Sequence, residues 1–317
     1  MSAPRVPDPE TEAFLKTVPI VDPHQHFWDL TTGNPYPNLT DRSQWKGFRY
    51  GDKNKLLRDY FPDDLLCDAA PHNLVASVHI QVGWPGDPLG ETRWLDGLRT
   101  RTGWPTVALG QAELHRPDVG EVLAGHAQHD FMRGVRTKPT QYDDPRKAAR
   151  NQPGSMDDPA WRRGFELLAK HDFVCDVQVP YWYLDQIADL AAAYPGTRIG
   201  INHTALPADR TPEGLAAWRR ALELVAPLPN VHLKVSGIGV PPGAWPVEEN
   251  LQIVRDAISI MGWQRCMFAS NFPVDELCGS YDTIYSTFKR AVADRPHAEI
   301  RALFHDNARS FYRIPIG

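Results

Sequence analysis

His24 and His26 are separated by a single residue in the segment DPHQHFWD. On an extended backbone, positions two apart present their side chains on the same face, separated by about 6 to 7 Å along the chain. Two imidazoles at that spacing can converge on a borderline metal such as zinc, which then needs further donors from elsewhere in the fold. A hydrogen-bonded histidine cluster gives the same local pattern, so the pair alone does not decide between ligation and structure. Arg136 closes the run FMRGVRT in strand phase with Gly134, and its planar guanidinium suits an anionic ligand or a developing oxyanion. An ion pair holding a loop is its structural alternative. Gln81, Glu113 and Gln178 lie near the ends of other extended runs, where hydrogen-bonding groups could read an oxygen-rich ring or simply cap loops. His79, in phase with Gln81, reads as an interior histidine with a satisfied partner. Trp28 and Tyr183, with Trp84 and Trp182, offer aromatic surface near strand ends, and Trp45 and Tyr50 could extend such a wall.

These residues need a scaffold that brings distant strand ends together. Eight strand candidates occur, at 17–30, 75–83, 106–114, 131–137, 173–180, 197–205, 231–237 and 266–273. Helical patterns fall at 90–101, 161–171, 183–194, 214–226 and 249–262, and a closing helix spans 297–314. Strands alternating with helices in this way predict an α/β chain with a parallel sheet. A single (β/α)8 TIM-like barrel is the economical closure, because all the chemically loaded strand ends then meet at one rim. A doubly wound sheet is the alternative, but its Gly-rich phosphate turn is missing. Residues 31–62 form a long loop after the first strand, the length expected of a lid or pocket wall. Residues 1–16 read as an N-terminal extension and 17–317 as the barrel.

Length and composition agree with one folded unit. The chain has 317 residues, 42% of them hydrophobic and 23% charged, which excludes a disordered chain as the main description. With 34 basic against 39 acidic residues, the net charge of −5 gives no nucleic-acid footprint. No apolar run reaches the length of a membrane span, and the N-terminus lacks the apolar centre of a secretory signal. Four cysteines without paired spacing favour a reducing, cytoplasmic setting. The sequence leaves open whether the protein is a homo-oligomer.

DPHQHFWD, the Asn202–His203 pair, LKVSG at 233–237 and MFASNFPVD at 267–275 together resemble the amidohydrolase superfamily. The resemblance is to its amidohydrolase-2 branch, which includes sugar lactonases and pyrone-dicarboxylate lactonase-like enzymes, and it spans nearly the whole chain after residue 17. It implies a (β/α)8 barrel with its chemistry at the C-terminal rim, and it assigns site roles to His24 and His26 on the first strand and to His203 on the sixth. On the eighth strand many relatives carry an aspartate that acts as a base or touches a metal, whereas this chain has Asn271, which can orient a group but cannot abstract a proton. Asp275 is the nearest carboxylate that could replace it, or else a loop anchor. At the positions where metal-using relatives supply further ligands, this chain offers Arg136 and Gln178.

The function implied is hydrolysis of a small cyclic ester, sugar-derived or carboxylated, by attack of water. His24, His26, Arg136, His203, Asn271 and Asp275 form the catalytic set, and Trp28, Gln81, Glu113, Gln178 and Tyr183 contact the substrate. The cofactor is either none or a single divalent metal such as zinc on His24, His26 and His203. Metal-dependent nonoxidative decarboxylation and an inactive small-molecule-binding barrel are the alternatives.

Overall fold

A computed structural model describes residues 8–316. Eight parallel strands pair in sequence order: β1 (Pro19–Gln25), β2 (Asn73–Ile80), β3 (Val107–Gln111), β4 (Met132–Thr137), β5 (Val174–Val177), β6 (Ile199–Ile201), β7 (Val231–Val235) and β8 (Cys266–Phe268). The ring closes through a parallel bridge between Gln25 and Phe272, supported by hydrogen bonds from the His26 N–H to the Phe272 carbonyl and from the Asn271 N–H to the His24 carbonyl, both 2.8 Å. This is the expected single (β/α)8 barrel. Its closure places the first and last strand ends, with their histidines and Asn271, side by side.

Most strands end sooner than the sequence suggests. β3 stops at Gln111, β6 at Ile201 and β8 at Phe268, while the apolar, β-favouring composition runs on for several residues. The cause is visible after β6, where His203, Thr204, Ala205 and Leu206 all take positive φ of 54–57° and turn the chain inward. Helices at Val119–His126, in the crossover from β3 to β4, and at Tyr281–Val292, after β8, stand where the sequence reading leaves none. Ahead of β1, a helix at Pro9–Thr17 is capped by Asp8 and lays Phe14 on His297 of the C-terminal helix, with ring centroids 4.3 Å apart.

Alternation along each strand sorts two cores. Outward residues such as Ile20, Val135, Cys175, Val177, Ile201 and Leu233 pack under the helices. Inside the barrel, Val21, Val78, Val107, Leu109, Val174 and Met267 make a small apolar base, plugged by Phe311, Tyr312 and Ile314 from the C-terminal segment. Above that base the interior turns polar. Lys234 Nζ lies 2.6 Å from Asp176 Oδ2, both fully buried, and the Tyr312 hydroxyl donates to the same carboxylate at 3.0 Å. Gly200 makes room for this pair, since a Cβ there would come within 2.4 Å of Asp176 Oδ1. Among the described residues no helix is long and apolar enough to cross a membrane, and Cys67, Cys175, Cys266 and Cys278 are free thiols.

Candidate active site

Above the buried ion pair, three imidazoles meet. The His24 ring centroid is 5.0 Å from that of His26 and 4.5 Å from that of His203, so the first and sixth strands do bring their histidines together. Each is held differently. His26 Nδ1 donates to the Ile80 carbonyl at 2.7 Å, which leaves the lone pair of its neutral ring on Nε2. His203 Nδ1 sits 3.1 Å from Ser236 Oγ, and its positive φ is tolerated because Gly237 lies opposite, where a Cβ would stand 2.7 Å from His203 Cβ. The LKVSG segment thus supplies both the partner and the clearance for His203. His24 has neither ring nitrogen bonded to any group of the protein. Burial is the first cause that keeps all three rings well below the ordinary histidine range, with the charges of Lys234, Arg136 and Arg49 adding to it, so they are neutral at neutral pH. A cradle of protonated histidines is therefore opposed by its own surroundings, and positive charge at the site belongs to the arginines and lysines.

Asp22 fixes this floor from beneath. Its Oδ1 accepts from the backbone N–H of His24 at 3.2 Å and of Ser270 at 3.0 Å, and its Oδ2 accepts from Ser270 Oγ at 2.5 Å. One carboxylate thereby ties the HxH segment to the eighth strand end. Asn271 follows with φ of 56°, a left-handed conformation that asparagine tolerates better than most residues. Its Nδ2 donates to Asp275 Oδ1 at 2.7 Å, and its Oδ1 lies 3.3 Å from His26 Nε2. Asp275 is fully buried behind Asn271, its Oδ2 has no partner, and burial raises its pKa to about 6.

The floor opens into a cavity of about 470 Å³ lined by His26, His203 and Asn271 at one end and by Phe48, Tyr50 and Trp182 on its walls. Arg136 and Gln178 line it as expected, and they hold each other: Arg136 Nη1 donates to Gln178 Oε1 at 2.5 Å while Nη2 donates to the Gln81 carbonyl at 2.6 Å. Trp28 contributes its ring to the wall and donates from Nε1 to the Arg58 carbonyl at 2.6 Å. Other expected contacts fall elsewhere. Gln81 and Glu113 line a second cavity of about 360 Å³ between the ends of β2, β3 and β4, and Tyr183 is buried with its hydroxyl accepting from the Tyr142 N–H at 2.8 Å. His79 is structural as anticipated: its Nδ1 accepts from the Phe27 N–H at 3.0 Å and its Nε2 meets buried Glu91 at 3.3 Å.

Three cations in the main cavity escape the sequence reading. Arg49 and Lys53 come from the long loop after β1, and Lys138 stands just past β4. Lys138 is two residues beyond Arg136, the same strand phase, and that spacing is the signal that could have found it. Arg49 and Lys53 sit in an aperiodic loop and carry no such signal.

Among the described residues, no group of three or more His, Cys, Asp or Glu side chains is arranged to hold a metal ion. The donor chemistry nevertheless suits a divalent ion. His24 offers two buried nitrogens without a partner, an expensive arrangement unless something binds there, and neutral His26 and His203 stand against it.

The family profile described as Amidohydrolase matches residues 21–314. An uncharacterized protein, y4mH, of Sinorhizobium fredii is 40% identical over 301 residues, covering 95% of this chain and all of its own length. An L-fucono-1,5-lactonase of Burkholderia multivorans is 30% identical over 307 residues, 93% of this chain and 96% of the relative. A crystal structure of a Burkholderia multivorans amidohydrolase with bound zinc is 29% identical, covers 93% of this chain and 99% of its own, and superposes with a TM-score of 0.78. With barrel, strand-end histidines and near-complete coverage in agreement, the chain belongs to the amidohydrolase family of hydrolases, in its amidohydrolase-2 branch.

Proposed function

We propose that the protein opens a small cyclic ester by adding water to its carbonyl carbon, giving a hydroxy acid. The observation that carries this reading is the grouping of His26, His203 and Asn271, backed by Asp275, at the floor of a cavity large enough for one ring and its substituents. The lactonase among the relatives supports it.

The ring lies between Phe48 and Trp182 with its carbonyl toward the floor. Arg136 is clamped by Gln178 and the Gln81 carbonyl, so its charge is already oriented when the oxyanion forms and no reorganisation is needed. Asp275 is ionised above about pH 6, close to neutrality and so well matched to taking a proton. Tyr50 lines the cavity beside this carboxylate, and its buried hydroxyl, which has no hydrogen-bond partner, is placed to bridge the attacking water and the acid. Asn271 holds Oδ1 through its amide N–H and keeps the carboxylate facing that way. Collapse of the tetrahedral adduct breaks the ring's acyl C–O bond, and the departing alkoxide takes the proton back. His24, His26 and His203 are the residues that would hold a divalent ion, which when bound supplies carbonyl polarisation and a more acidic water.

Purified protein tested on a panel of lactones, with ring opening followed by proton release and by NMR of the product, decides the matter. Opening by the wild type, and its loss in His203→Ala and Asp275→Asn proteins with unchanged circular dichroism, is the expected result. Normal turnover in both variants would remove these assignments. Carbon dioxide release from an aromatic or unsaturated acid would instead mark a decarboxylase, and tight lactone binding without turnover would mark a binding barrel.

A further inference from the structure

The second cavity, about 360 Å³ at the ends of β2, β3 and β4, collects hydrogen-bonding groups that the fold does not use. Gln81 is only 8% exposed; its Nε2 lies 3.4 Å from the Arg136 carbonyl and its Oε1 is buried without a partner. Gln111 accepts from the Trp84 N–H at 2.8 Å through Oε1, which leaves its Nε2 to donate. The Thr137 hydroxyl, on a residue 4% exposed, has no partner among the described residues. Neither do the side chains of Glu113 and Lys138, which stand exposed at the rim. Burying polar groups without partners is costly, and a fold that gathers them at one opening is suited to a molecule that satisfies them.

The kinds of group decide what that molecule is. Gln81 Oε1 and the Glu113 carboxylate accept, the Gln111 amide and the Lys138 ammonium donate, and Thr137 does both. An anion would meet the two acceptors, and a cation would meet Lys138 and the neighbouring Arg136. A hydroxyl group donates and accepts, so a neutral ring carrying several of them suits every member of the set. Val82, Ala112 and Leu114 add apolar surface for the C–H faces of such a ring. Val82, Arg136 and Lys138 line both cavities, so the two adjoin. Each cavity also has its own tryptophan: Trp161 lines only the second, and Trp182 only the main one.

We propose that the second cavity is a binding site for a neutral polyhydroxylated ring, held by Gln81, Gln111, Glu113 and Thr137 with Lys138 at its edge, and distinct from the ring whose ester is opened. The site goes beyond the ester-hydrolysis reading and does not depend on it. Its occupant is a sugar ring, arriving either as a second unit attached to the lactone, across Val82 and Arg136, or as a free molecule.

The test uses the full-length protein. Indole N–H signals in two-dimensional NMR spectra, with Trp161 and Trp182 identified through their Phe variants, report which cavity a ligand enters. Methyl β-glucoside, methyl β-galactoside and methyl α-mannoside are titrated beside glutarate, an anion, and tetrahydropyran, a ring without hydroxyls. At least one glycoside is expected to move Trp161 saturably, while glutarate and tetrahydropyran leave it in place. Glu113→Leu at the exposed rim and the near-isosteric Thr137→Val should each weaken that binding about 3- to 10-fold, with unchanged circular dichroism. A Trp161 signal unmoved by every glycoside, binding that ignores both substitutions, or glutarate moving Trp161 as well as the sugars do overturns the proposal. Turnover then separates the two sources, through gluconolactone and maltobionolactone, which carries a second glucose ring. A lower KM for maltobionolactone that Glu113→Leu brings up to that of gluconolactone supports a ring belonging to the substrate. Equal KM values, with Trp161 moved by a free glycoside, support a separate sugar ligand. Failure of the whole lactone panel with Trp161 still responding overturns the ester reading and keeps this site.

Discussion

Two lysines in this barrel are pushed below the ordinary range for opposite reasons. Lys234, in the middle of the barrel, is lowered to about 8 chiefly by burial, and Asp176 at 2.6 Å and the Tyr312 hydroxyl on that carboxylate complete its environment. Lys138, at the cavity, is lowered to about 7 chiefly by its cationic neighbour Arg136 and has no carboxylate of its own. A charge that serves the fold comes with its counter-ion built in. Lys138 is instead exposed at the cavity and has no such partner among the described residues.

Mutations should therefore act on stability in one region and on activity in the other. The largest effect is expected beneath the site. Asp176→Ala strands a buried ammonium and should cost about 3 to 5 kcal/mol of unfolding free energy, read from urea denaturation. A loss below about 1 kcal/mol would show that water already reaches Lys234 and that the two lysines differ little in their surroundings. At the floor, His203→Ala should lower kcat by about 100- to 1,000-fold, roughly 3 to 4 kcal/mol in the barrier, with little change in the urea midpoint. A matching drop in stability would move His203 to the structural side.

Gly237→Ala tests the seam between the two regions. Its φ of +60° and the close approach to His203 mean that a methyl there must displace the imidazole. Destabilisation of about 1 to 2 kcal/mol is expected, with a fall in turnover larger than that destabilisation explains. The smallest and most diagnostic effect is in pH. Asp275 must be ionised to accept a proton, so kcat should rise with pH through about 6, and Asp275→Asn should abolish that limb.

The barrel was legible because its signal is repeated eight times. Apolar runs of strand length alternate with helical patterns, and misjudging the end of one run does not change the count. The ends themselves were not legible. At His203–Leu206 a run that reads as strand becomes a left-handed turn, and that depends on Ser236 and Gly237 from the next strand, 33 residues away in the case of the His203–Ser236 bond. The histidines and Asn271 sit in compact motifs that can be singled out, whereas Glu113 lines the second cavity and Tyr183, in a short helix past β5, accepts at its hydroxyl from the Tyr142 N–H. Arg49 and Lys53 were missed because a loop of 31–62 without periodicity gives no hint of which side chains it folds inward.

The Tyr312 hydroxyl reaches Asp176 from a segment 44 residues beyond the last strand, which ends at Phe268. A nascent chain on the ribosome that has already exposed all eight strands still holds an unfinished charge layer and an unsealed base. Its interior cannot reach its final dryness until that tyrosine has left the exit tunnel, so translation pauses between β8 and Tyr312 would prolong a water-filled barrel.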